Sequence, residues 1–348
     1  MMGQIKIDNP GLMTTVQDLG RYGYQQYGVL VSGAMDHVAA RLANILAGND
    51  DNEGLLETTI MGLKIEFISS AVIAITGGDL QPALNDKSIA MNKSVPVNAG
   101  DCLTFRGMKK GCRSYIAFSG GIDVPVVMGS KSTFLKAQIG GYEGRALKAG
   151  DILNIGELKT FMSDIAGREI AENFYEYGSS IVELRIVLGP QDDAFTEKGI
   201  ETLFSNEYTV TNNCDRMGYK LEGEKIQHKD GADIISDGIA MGAIQVPSKG
   251  TPIIMMADRQ TTGGYTKIGN VITADLPKVA QAKPGDKIIF KKSTLEEAHN
   301  LIKGLEYKID QVKIQLSSQK IKEIISTKNF YLSVNGNPYN VKVEELKS

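Results

Sequence analysis

A Gly-Asp pair followed directly by alternating apolar and polar residues occurs at 99–105, 149–153 and 284–290. Glycine supplies the positive φ that a tight turn needs, and the aspartate side chain hydrogen-bonds to its own turn backbone. Each copy therefore predicts a turn that leads into a strand. With 38 glycines and short apolar runs, the chain is predicted to be mainly β, with barrels or sandwiches rather than βαβ repeats. The repetition fits a duplicated β unit, and it fits equally well the general abundance of such turns in β proteins.

A change of pattern near the middle divides the chain, whose 348 residues are enough for two domains with separate cores. Apolar periodicity fades between 161 and 178, and a strong strand pattern restarts at Ile181. We therefore predict an N-terminal β domain at 1–165, a linker at 166–180 and a C-terminal β domain at 181–292.

Outside the strands, the sequence predicts one early helix and a distinct C-terminal segment. Apolar residues fall on one stripe at 36–47, which is typical of an amphipathic helix. Ser293 and Glu296 form a capping box in front of another apolar stripe, and a pair of strand patterns turns around Asn335-Gly336. A second, shorter helix is indicated by Ile321, Ile324 and Ile325. We expect 293–348 to be a helical tail that ends in a β-hairpin.

Composition and spacing argue against several classes of protein. The formal net charge is −3 and no long stretch is dominated by one sign, so we expect no nucleic-acid partner. The apolar runs fall far below the roughly 20 residues that a membrane helix needs. The start of the chain has no apolar signal core, so we expect a cytoplasmic protein. His37, His228 and His299 are isolated from one another and from the cysteines, and we expect no metal site.

The polar segment most informative about function follows the apolar run 253–257, which is predicted to be a buried strand. Its members combine charge, amide, hydroxyl, glycine and aromatic groups: Asp258, Arg259, Gln260, Thr261, Thr262, Gly263, Gly264 and Tyr265. Arg259 offers a fork of donors suited to a carboxylate or phosphoryl group, and Gln260 can bind an amide. The hydroxyls and the glycine backbone can hold oxyanions. The alternative is an Asp-Arg ion pair that pins a tight glycine turn.

Two other segments carry similar side chains. Asp215 and Arg216 form a second Asp-Arg pair, for which ion pairing within the fold is an equally good explanation. Lys267 follows the polar segment and can add a point charge. The stretch 14–21 near the N-terminus has a composition like that of 258–265. The sequence therefore indicates either two related pockets or one composite pocket.

The segment 129–133 resembles the end of a phosphate-binding loop. That pattern needs Gly-Lys-Ser/Thr with another glycine five residues earlier, whereas Ser130 intervenes here and Val124 occupies the upstream position. The match is therefore weak.

Eight motifs in order along the chain resemble those of the KipA-like proteins, a family that includes the C subunits of 5-oxoprolinases and is also known as the allophanate hydrolase subunit 2 family. The family is similar to the C-terminal half of the carboxyltransferase domain of urea carboxylase, and the resemblance covers about residues 5–290. The motifs lie at 14–21, 31–36, 119–125, 129–133, 189–191, 215–219, 242–247 and 258–265. The resemblance implies two cyclophilin-like β-barrel domains.

The resemblance also implies an activity. In a 5-oxoprolinase, the C subunit works with an A-type and a KipI-like B-type protein, and the complex uses shared ATP to hydrolyse 5-oxoproline to L-glutamate. Phosphorylation of the lactam oxygen makes a carbon that water can attack, and cationic side chains would stabilise the phosphoryl charge. The predicted catalytic residues are Asp258, Arg259, Asp215, Arg216 and Lys267. The predicted substrate-binding residues are Gln245, Gln260, Thr261, Thr262, Gly263, Gly264 and Tyr265.

Two alternatives remain open. Biotin-dependent carboxyl transfer to urea or another amide would use Gln245, Gln260 and Asp258 around a ureido ring. Biotin would not be attached to this chain, because Ala90-Met91 is followed by Asn92 rather than by a lysine. The second alternative is a KipA-type regulator that binds a KipI-like kinase inhibitor. All three interpretations predict a KipI-like partner.

Overall fold

The computed structural model describes residues 3–158, 161–171, 174–318, 324–334 and 337–346. The protein is mainly β, as predicted, and it forms two compact units, Met1–Glu306 and Tyr307–Ser348. Within the described residues, no helix combines the length and the hydrophobicity that a membrane crossing requires.

The N-terminal half of the first unit is built from two antiparallel sheets that share one core. In chain order its elements are β1 (Gly3–Pro10), β2 (Met13–Gln17), α1 (His37–Leu46), β3 (Leu55–Thr59), β4 (Leu63–Phe67), β5 (Ala71–Asp79), β6 (Pro82–Leu84), β7 (Lys87–Ser88), β8 (Ser94–Val97), β9 (Cys102–Phe105), β10 (Lys110–Phe118), β11 (Ile122–Asp123), β12 (Ile152–Ile155) and α2 (Met162–Ile165). The seven-stranded sheet has the order β11-β12-β1-β4-β9-β6-β7, and the five-stranded sheet has the order β2-β3-β10-β5-β8. Ile5 and Phe67 of the first sheet pack in the same cluster as Ile73 and Phe118 of the second. The two sheets therefore bury their apolar faces together.

The C-terminal half of the first unit contains a closed seven-stranded barrel. Its elements are β13 (Ile181–Leu188), α3 (Glu197–Ser205), β14 (Glu207–Cys214), β15 (Gly218–Glu222), β16 (Asp237–Gly238), β17 (Ala243–Gln245), β18 (Ile253–Met255), β19 (Thr262–Gly263), β20 (Lys267–Val271), α4 (Leu276–Gln281) and β21 (Lys287–Lys292). The barrel order is β13-β20-β17-β18-β15-β14-β21, and parallel pairing of β13 with β21 closes the ring. Leu184, Ile254 and Phe290 fill its interior. The domain limits predicted at 165, 181 and 292 stay a prediction.

The three Gly-Asp turns have the same geometry, and the strands β9, β12 and β21 follow them, as predicted. The glycines Gly100, Gly150 and Gly285 have φ of 90°, 94° and 90°. In each turn the aspartate carboxylate accepts a hydrogen bond from the backbone N–H three residues earlier, at 2.7, 2.7 and 2.9 Å. The left-handed glycine and the aspartate acceptor therefore have the roles that the sequence assigned to them.

The helix predicted at 36–47 and the helix predicted after Ser293 are both present with small differences at their ends, whereas α2, α3 and α4 were not predicted. Helix α1 occupies 37–46 of the predicted 36–47, and the Asp36 carboxylate caps it by accepting from the Ala39 N–H. Helix α5 (Leu295–Ser318) follows in the tail. Its capping box lies one residue later than predicted, because the Glu297 carboxylate accepts from the Thr294 N–H at 2.8 Å and Thr294 accepts from the Glu297 N–H at 3.1 Å.

The end of the chain forms the predicted hairpin from β22 (Ile324–Val334) and β23 (Asn337–Leu346), which pair antiparallel. The short helix predicted from three isoleucines is wrong at Ile324 and Ile325, because both belong to β22. Ile321 and the turn residues Asn335 and Gly336 lie outside the described residues. Three isoleucines cannot distinguish a short helix from a strand, because both periods place some of them on one face.

Candidate functional site

A cavity of about 570 Å³ lies on the C-terminal barrel beside β15, β17 and β18. Four side-chain amides make up half of its polar lining, and the other groups are a carboxylate, a phenol, an ammonium group and a thiol; these groups belong to Asn212, Asn213, Gln245, Gln260, Asp215, Tyr265, Lys220 and Cys214. Met217, Pro247 and Met255 supply apolar surface. We call this cavity the amide pocket. It brings together four of the residues predicted from the sequence, namely Asp215, Gln245, Gln260 and Tyr265.

Gln245 is positioned by strand β17, and Tyr265 is positioned by the loop between β19 and β20. Gln245 is buried on β17, and its Nε2 donates to the Gly264 carbonyl at 3.0 Å. Tyr265 has a φ of 80°, a left-handed conformation that is unfavourable for a bulky residue. Such a conformation persists only where the surrounding structure imposes it, and it is common at ligand sites. The loop therefore holds Tyr265 at the pocket in a strained backbone conformation.

Asp215 stabilises the turn between β14 and β15 rather than an ion pair with its neighbour. Its Oδ1 accepts from the N–H groups of Met217 at 2.7 Å and Gly218 at 3.2 Å. The turn places the carboxylate at the wall of the amide pocket, while the next side chain, Arg216, points into the protein interior.

Arg216 lies at the centre of a buried ionic network that joins the two halves of the first unit. Its Nε and Nη2 donate to the Asp258 carboxylate at 2.9 and 3.1 Å. Its Nη1 donates to Glu57 on β3 at 2.5 Å, and its Nη2 also donates to the Gly33 carbonyl at 2.6 Å. We call these groups the Arg216 network. Each nitrogen of the Arg216 guanidinium therefore donates to an acceptor of the protein itself.

The charges of the Arg216 network compensate the effect of burial. Burial disfavours the charged form of Arg216, yet the carboxylates of Asp258 and Glu57 raise the pKa of Arg216 above its ordinary value. Burial likewise disfavours the Glu57 carboxylate, but Arg216 and then Arg113 lower the pKa of Glu57 below its ordinary value. Arg216 and Glu57 are therefore both charged at neutral pH.

Arg259 follows Asp258 in the chain but has different neighbours. Its Nε donates to the Ile239 carbonyl at 2.9 Å and its Nη1 donates to the Met256 carbonyl at 3.2 Å. Among the described residues it makes no ion pair, and burial lowers its pKa. Its charge acts on Tyr22 and His37, neither of which lines the amide pocket, and Arg259 itself does not line that pocket.

Lys267 is 2% exposed and forms a small polar cluster with Gln191 and with Asp237 of β16. Its Nζ lies 3.0 Å from Asp237 Oδ2, and its backbone N–H donates to Gln191 Oε1 at 3.1 Å. Gln191 Nε2 donates in turn to Asp237 at 3.2 Å. The hydrogen bond from Lys267 lowers the pKa of Asp237. The Lys267 ammonium is thus already paired, and it does not line the amide pocket.

The remaining predicted residues form a two-stranded ribbon next to the amide pocket. Thr262 and Gly263 make β19, which pairs with β16, and the Thr261 carbonyl accepts from the Ile239 N–H at 3.1 Å. A Cβ at Gly263 would lie 3.1 Å from Gln260 Nε2, so a side chain there would crowd the pocket amide. The ribbon therefore supports Gln260 and leaves its own hydroxyls outside the pocket lining.

The hydrogen-bond donors of the segment 129–133 are occupied by the carboxylate of Asp18. The Asp18 carboxylate accepts from the Lys131 N–H at 2.6 Å, from Ser130 Oγ at 2.8 Å and from Ser132 Oγ. Lys131 Nζ is paired with Glu53 at 2.5 Å. A phosphate at this position would face the Asp18 charge and find the donors occupied. The loop therefore does not fit the phosphates of ATP.

Sequence reasoning missed Glu57, Asn212 and Asn213. Glu57 stands in the buried part of β3, where a carboxylate needs a buried cation, but nothing local says that the cation is 159 residues away. The two asparagines look like ordinary polar positions of a half-exposed strand. Among the described residues, no three His, Cys, Asp or Glu side chains lie close enough together to hold a metal ion.

The chain is similar to several known proteins. A family model described as "Carboxyltransferase domain, subdomain A and B" matches residues 27–292. The chain is 40% identical over 295 residues to the 5-oxoprolinase C subunit of Escherichia coli, which covers 84% of this chain and 93% of that protein. It is 38% identical to the protein of the same name from Haemophilus influenzae, covering 86% of this chain and 94% of that protein.

A solved structure extends the similarity. The crystal structure of the Kluyveromyces lactis urea carboxylase matches with a TM-score of 0.79 and 30% identity. The match covers 99% of this chain and 32% of the urea carboxylase chain. The chain therefore corresponds to about a third of that larger protein.

Proposed function

The chain belongs to the family of carboxyltransferase domains, subdomains A and B, and from this premise we propose that it is the C subunit of an ATP-dependent 5-oxoprolinase. It would act with an A-type and a KipI-like B-type protein to hydrolyse 5-oxoproline to L-glutamate. The observation that carries the proposal is the similarity to two proteins named as 5-oxoprolinase C subunits, which extends over 93% and 94% of their lengths. On this proposal the chain has no turnover without its partners.

The amide pocket supports the proposal because its chemistry matches a lactam. A lactam presents one N–H donor and one carbonyl acceptor side by side, and a carboxamide side chain presents the same pair. Gln245 Nε2 donates a hydrogen bond to the Gly264 carbonyl, whereas the Gln260 side chain makes no hydrogen bond within the described residues. We assign the recognition of the lactam to Gln260, with Gln245, Asp215 and Tyr265 forming the surrounding wall.

Among the cations predicted from the sequence, we assign Arg259 to the developing negative charge; its side chain does not line the amide pocket, where Lys220 is the cation in the wall, so Arg259 would act from behind that wall. All three guanidinium nitrogens of Arg216 donate hydrogen bonds to acceptors of the protein, and the Lys267 ammonium is paired with Asp237. Arg259 donates only to two backbone carbonyls and has no carboxylate partner among the described residues. ATP would supply the phosphoryl group that activates the lactam oxygen. Because 129–133 does not fit its phosphates, we place the nucleotide with the partner proteins.

The test is 5-oxoproline-dependent ATP hydrolysis and glutamate release by this chain co-purified with its A-type and B-type partners, with each protein omitted in turn. We expect activity only with all three. No turnover by a stable three-protein complex would contradict the proposal.

Two variants test the residue assignments. Gln260→Leu should raise the KM for 5-oxoproline and leave the KM for ATP unchanged, and the exposed Gln227→Leu on the same barrel serves as the matched control. Arg259→Ala should lower kcat, and by less than the roughly 100-fold that follows the removal of a donor in direct contact with the reacting group. Full activity in Arg259→Ala, with the complex intact, would exclude Arg259 from catalysis.

Biotin-dependent carboxyl transfer is the second candidate, and the family model and the urea carboxylase structure favour it. The ureido ring of biotin and urea itself carry N–H donors beside a carbonyl acceptor, as a lactam does, so Gln245 and Gln260 could serve either reaction. A biotin carboxylase and a carrier protein would then be needed. Carboxylation of urea or another amide by that mixture, without 5-oxoproline turnover, would replace the first proposal. Stable binding of the KipI-like partner with neither activity would favour a regulator.

A further inference from the structure

Among the described residues that line the amide pocket, Lys220 of β15 is the cation. Lys267, on another strand of the same barrel, is paired with Asp237. The Lys220 ammonium, in contrast, has no ion pair or hydrogen bond with any residue that the structure describes, and its side chain is exposed. Unpaired lysines are ordinary on a protein surface, so the neighbours of Lys220 decide whether it serves a ligand.

An irregularity in β14 brings two carboxamides beside Lys220. The three residues 211–213 of β14 lie opposite the single residue Lys220 of β15. Thr211 holds this bulge, because its Oγ1 donates to the Lys220 carbonyl at 2.9 Å and accepts from the Asn213 N–H at 3.2 Å. Asn212 and Asn213 both line the amide pocket, and their carboxamides make no hydrogen bond within the described part of the chain. Bulges are common next to active sites, where they redirect side chains. We call these three groups, Lys220, Asn212 and Asn213, the Lys220 end of the pocket.

The course of β15 separates the Lys220 end from the carboxylate in the same pocket. Asp215 lies at the turn before β15, where its Oδ1 accepts from the Gly218 N–H at 3.2 Å. Lys220 is two residues farther along the strand, so its Cα is about 7 Å from that of Gly218. Gly218, Ile253 and Met255 line the pocket between the two charges. The amide pocket therefore has a cation towards one end and an anion towards the other.

The strand register places Lys220 on the same face of the barrel as the amide side chain of Gln245. Ile253 of β18 pairs with Lys220 on one side and with Gln245 on the other. Directly opposite residues of antiparallel strands stand on one face of a sheet, and two strand spacings separate the Cα atoms of Lys220 and Gln245 by about 10 Å. The two side chains therefore approach a bound molecule from opposite sides. 5-Oxoproline has a group for each side, because it carries a carboxylate on the carbon atom next to the lactam nitrogen.

We propose that Lys220, with Asn212 and Asn213, binds the carboxylate of the substrate and makes the amide pocket selective for lactams that carry one. This assignment rests on the proposed 5-oxoprolinase function. The ammonium and the two carboxamide NH₂ groups are donors, and a carboxylate is an acceptor. The charge of Asp215 disfavours the reverse orientation, which would bring two carboxylates together. Lys220 binds a group that does not react, so its loss should weaken substrate binding and leave the chemical step unchanged.

The test is the steady-state kinetics of the three-protein complex, with 5-oxoproline as the substrate. The competitive inhibitor is 5-oxoprolinamide, which has a carboxamide in place of the carboxylate. Lys220→Met should raise the KM for 5-oxoproline about fivefold, the upper end for a solvent-exposed ion pair, with kcat unchanged. The inhibition constant of 5-oxoprolinamide should stay the same. Lys220→Arg, which keeps the cation, should retain most of the affinity, and Lys198→Met at an exposed position of α3 is the matched control.

The outcomes distinguish this assignment from the proposed function. A wild-type complex that does not turn over 5-oxoproline would overturn both. Turnover with the same KM in the wild type and Lys220→Met would overturn the assignment alone, as would an equal weakening of 5-oxoproline and 5-oxoprolinamide. If Lys220→Met does not assemble with its partners, Asn212→Ala gives the same readout, and the KM for 5-oxoproline should again rise while the inhibition constant of 5-oxoprolinamide does not.

Discussion

Glu57→Gln should destabilise the protein strongly although it changes the shape of the side chain very little. Glu57 accepts from Arg216 Nη1 at 2.5 Å through one oxygen, and from the Met35 N–H at 2.8 Å and the Tyr115 hydroxyl at 2.9 Å through the other. A carboxamide has one oxygen and one NH₂ group. Either orientation therefore places a donor against a donor, and the Arg216 cation loses one of its two carboxylates.

The magnitude follows from the burial of the group. Removing one partner of a buried ion pair costs roughly 3–5 kcal/mol. Because Asp258 still contacts Arg216, we expect about 3 kcal/mol, at the lower end. The assay is urea unfolding at pH 7 of the wild type and Glu57→Gln. Glu66→Gln on the neighbouring sheet is the control, since Glu66 pairs with the exposed Lys6. A loss in Glu57→Gln no larger than in the control would refute the reasoning.

The pH dependence gives a second readout of Glu57. The folded-state pKa of Glu57 is below its ordinary value of 4.5, so its contribution to the free energy of unfolding is complete above about pH 4.5 and falls as the pH drops towards the folded-state pKa. We expect this part of the acid-dependent loss of stability to be absent in Glu57→Gln. An unchanged acid limb in the variant would show that Glu57 is not charged in the folded protein.

Three further substitutions test other parts of the structure. Gly150→Ala should lower the free energy of unfolding in urea by roughly 1–2 kcal/mol, because the φ of Gly150 is 94°. Gly238→Ala should lower it by less, because Gly238 has equal space for a Cβ and no positive φ. Equal losses in the two variants would contradict this reasoning. Asp18→Asn should lower the free energy of unfolding by roughly 2–3 kcal/mol, since it removes an acceptor of charge-assisted hydrogen bonds. Added phosphate should not restore the stability of this variant. Rescue by phosphate would mean that the segment 129–133 does fit that anion. Lys267→Met should raise the pKa of Asp237, measured by carbon-13 NMR titration of its carboxyl, and no change would show that the two groups do not interact in solution.

The features that the sequence predicts well are those with local causes. The Gly-Asp turns, helix α1 and the terminal hairpin each depend on residues within a few positions of one another, so pattern and propensity are enough. The α5 capping box was misplaced by one residue because Ser293 and Thr294 are both suitable caps, and a helix start is poorly determined by sequence when two hydroxyls are adjacent.

The site was harder to predict because its contacts are long-range. Asp258, Arg259 and Gln260 are consecutive, yet Asp258 binds Arg216, Arg259 donates to backbone carbonyls, and Gln260 lines the amide pocket. The mixture of side chains indicated a functional loop, but composition cannot say which side chain faces which neighbour. The carboxylate Glu57 comes from the other half of the first unit, and no local pattern identifies such a partner.

The position of Arg216 limits how this chain can be divided during evolution or in the laboratory. A fragment ending before β13 would keep Glu57 buried without its main cation, and a barrel expressed alone would keep Arg216 with one of its two carboxylate partners. Gln281 of α4 adds to this dependence, because its Nε2 donates to Asp36 and to the Arg113 carbonyl, both at 3.0 Å. The two β structures are therefore poor candidates for exchange as independent modules, and a gene split between them would have to restore these buried contacts by reassociation of the fragments.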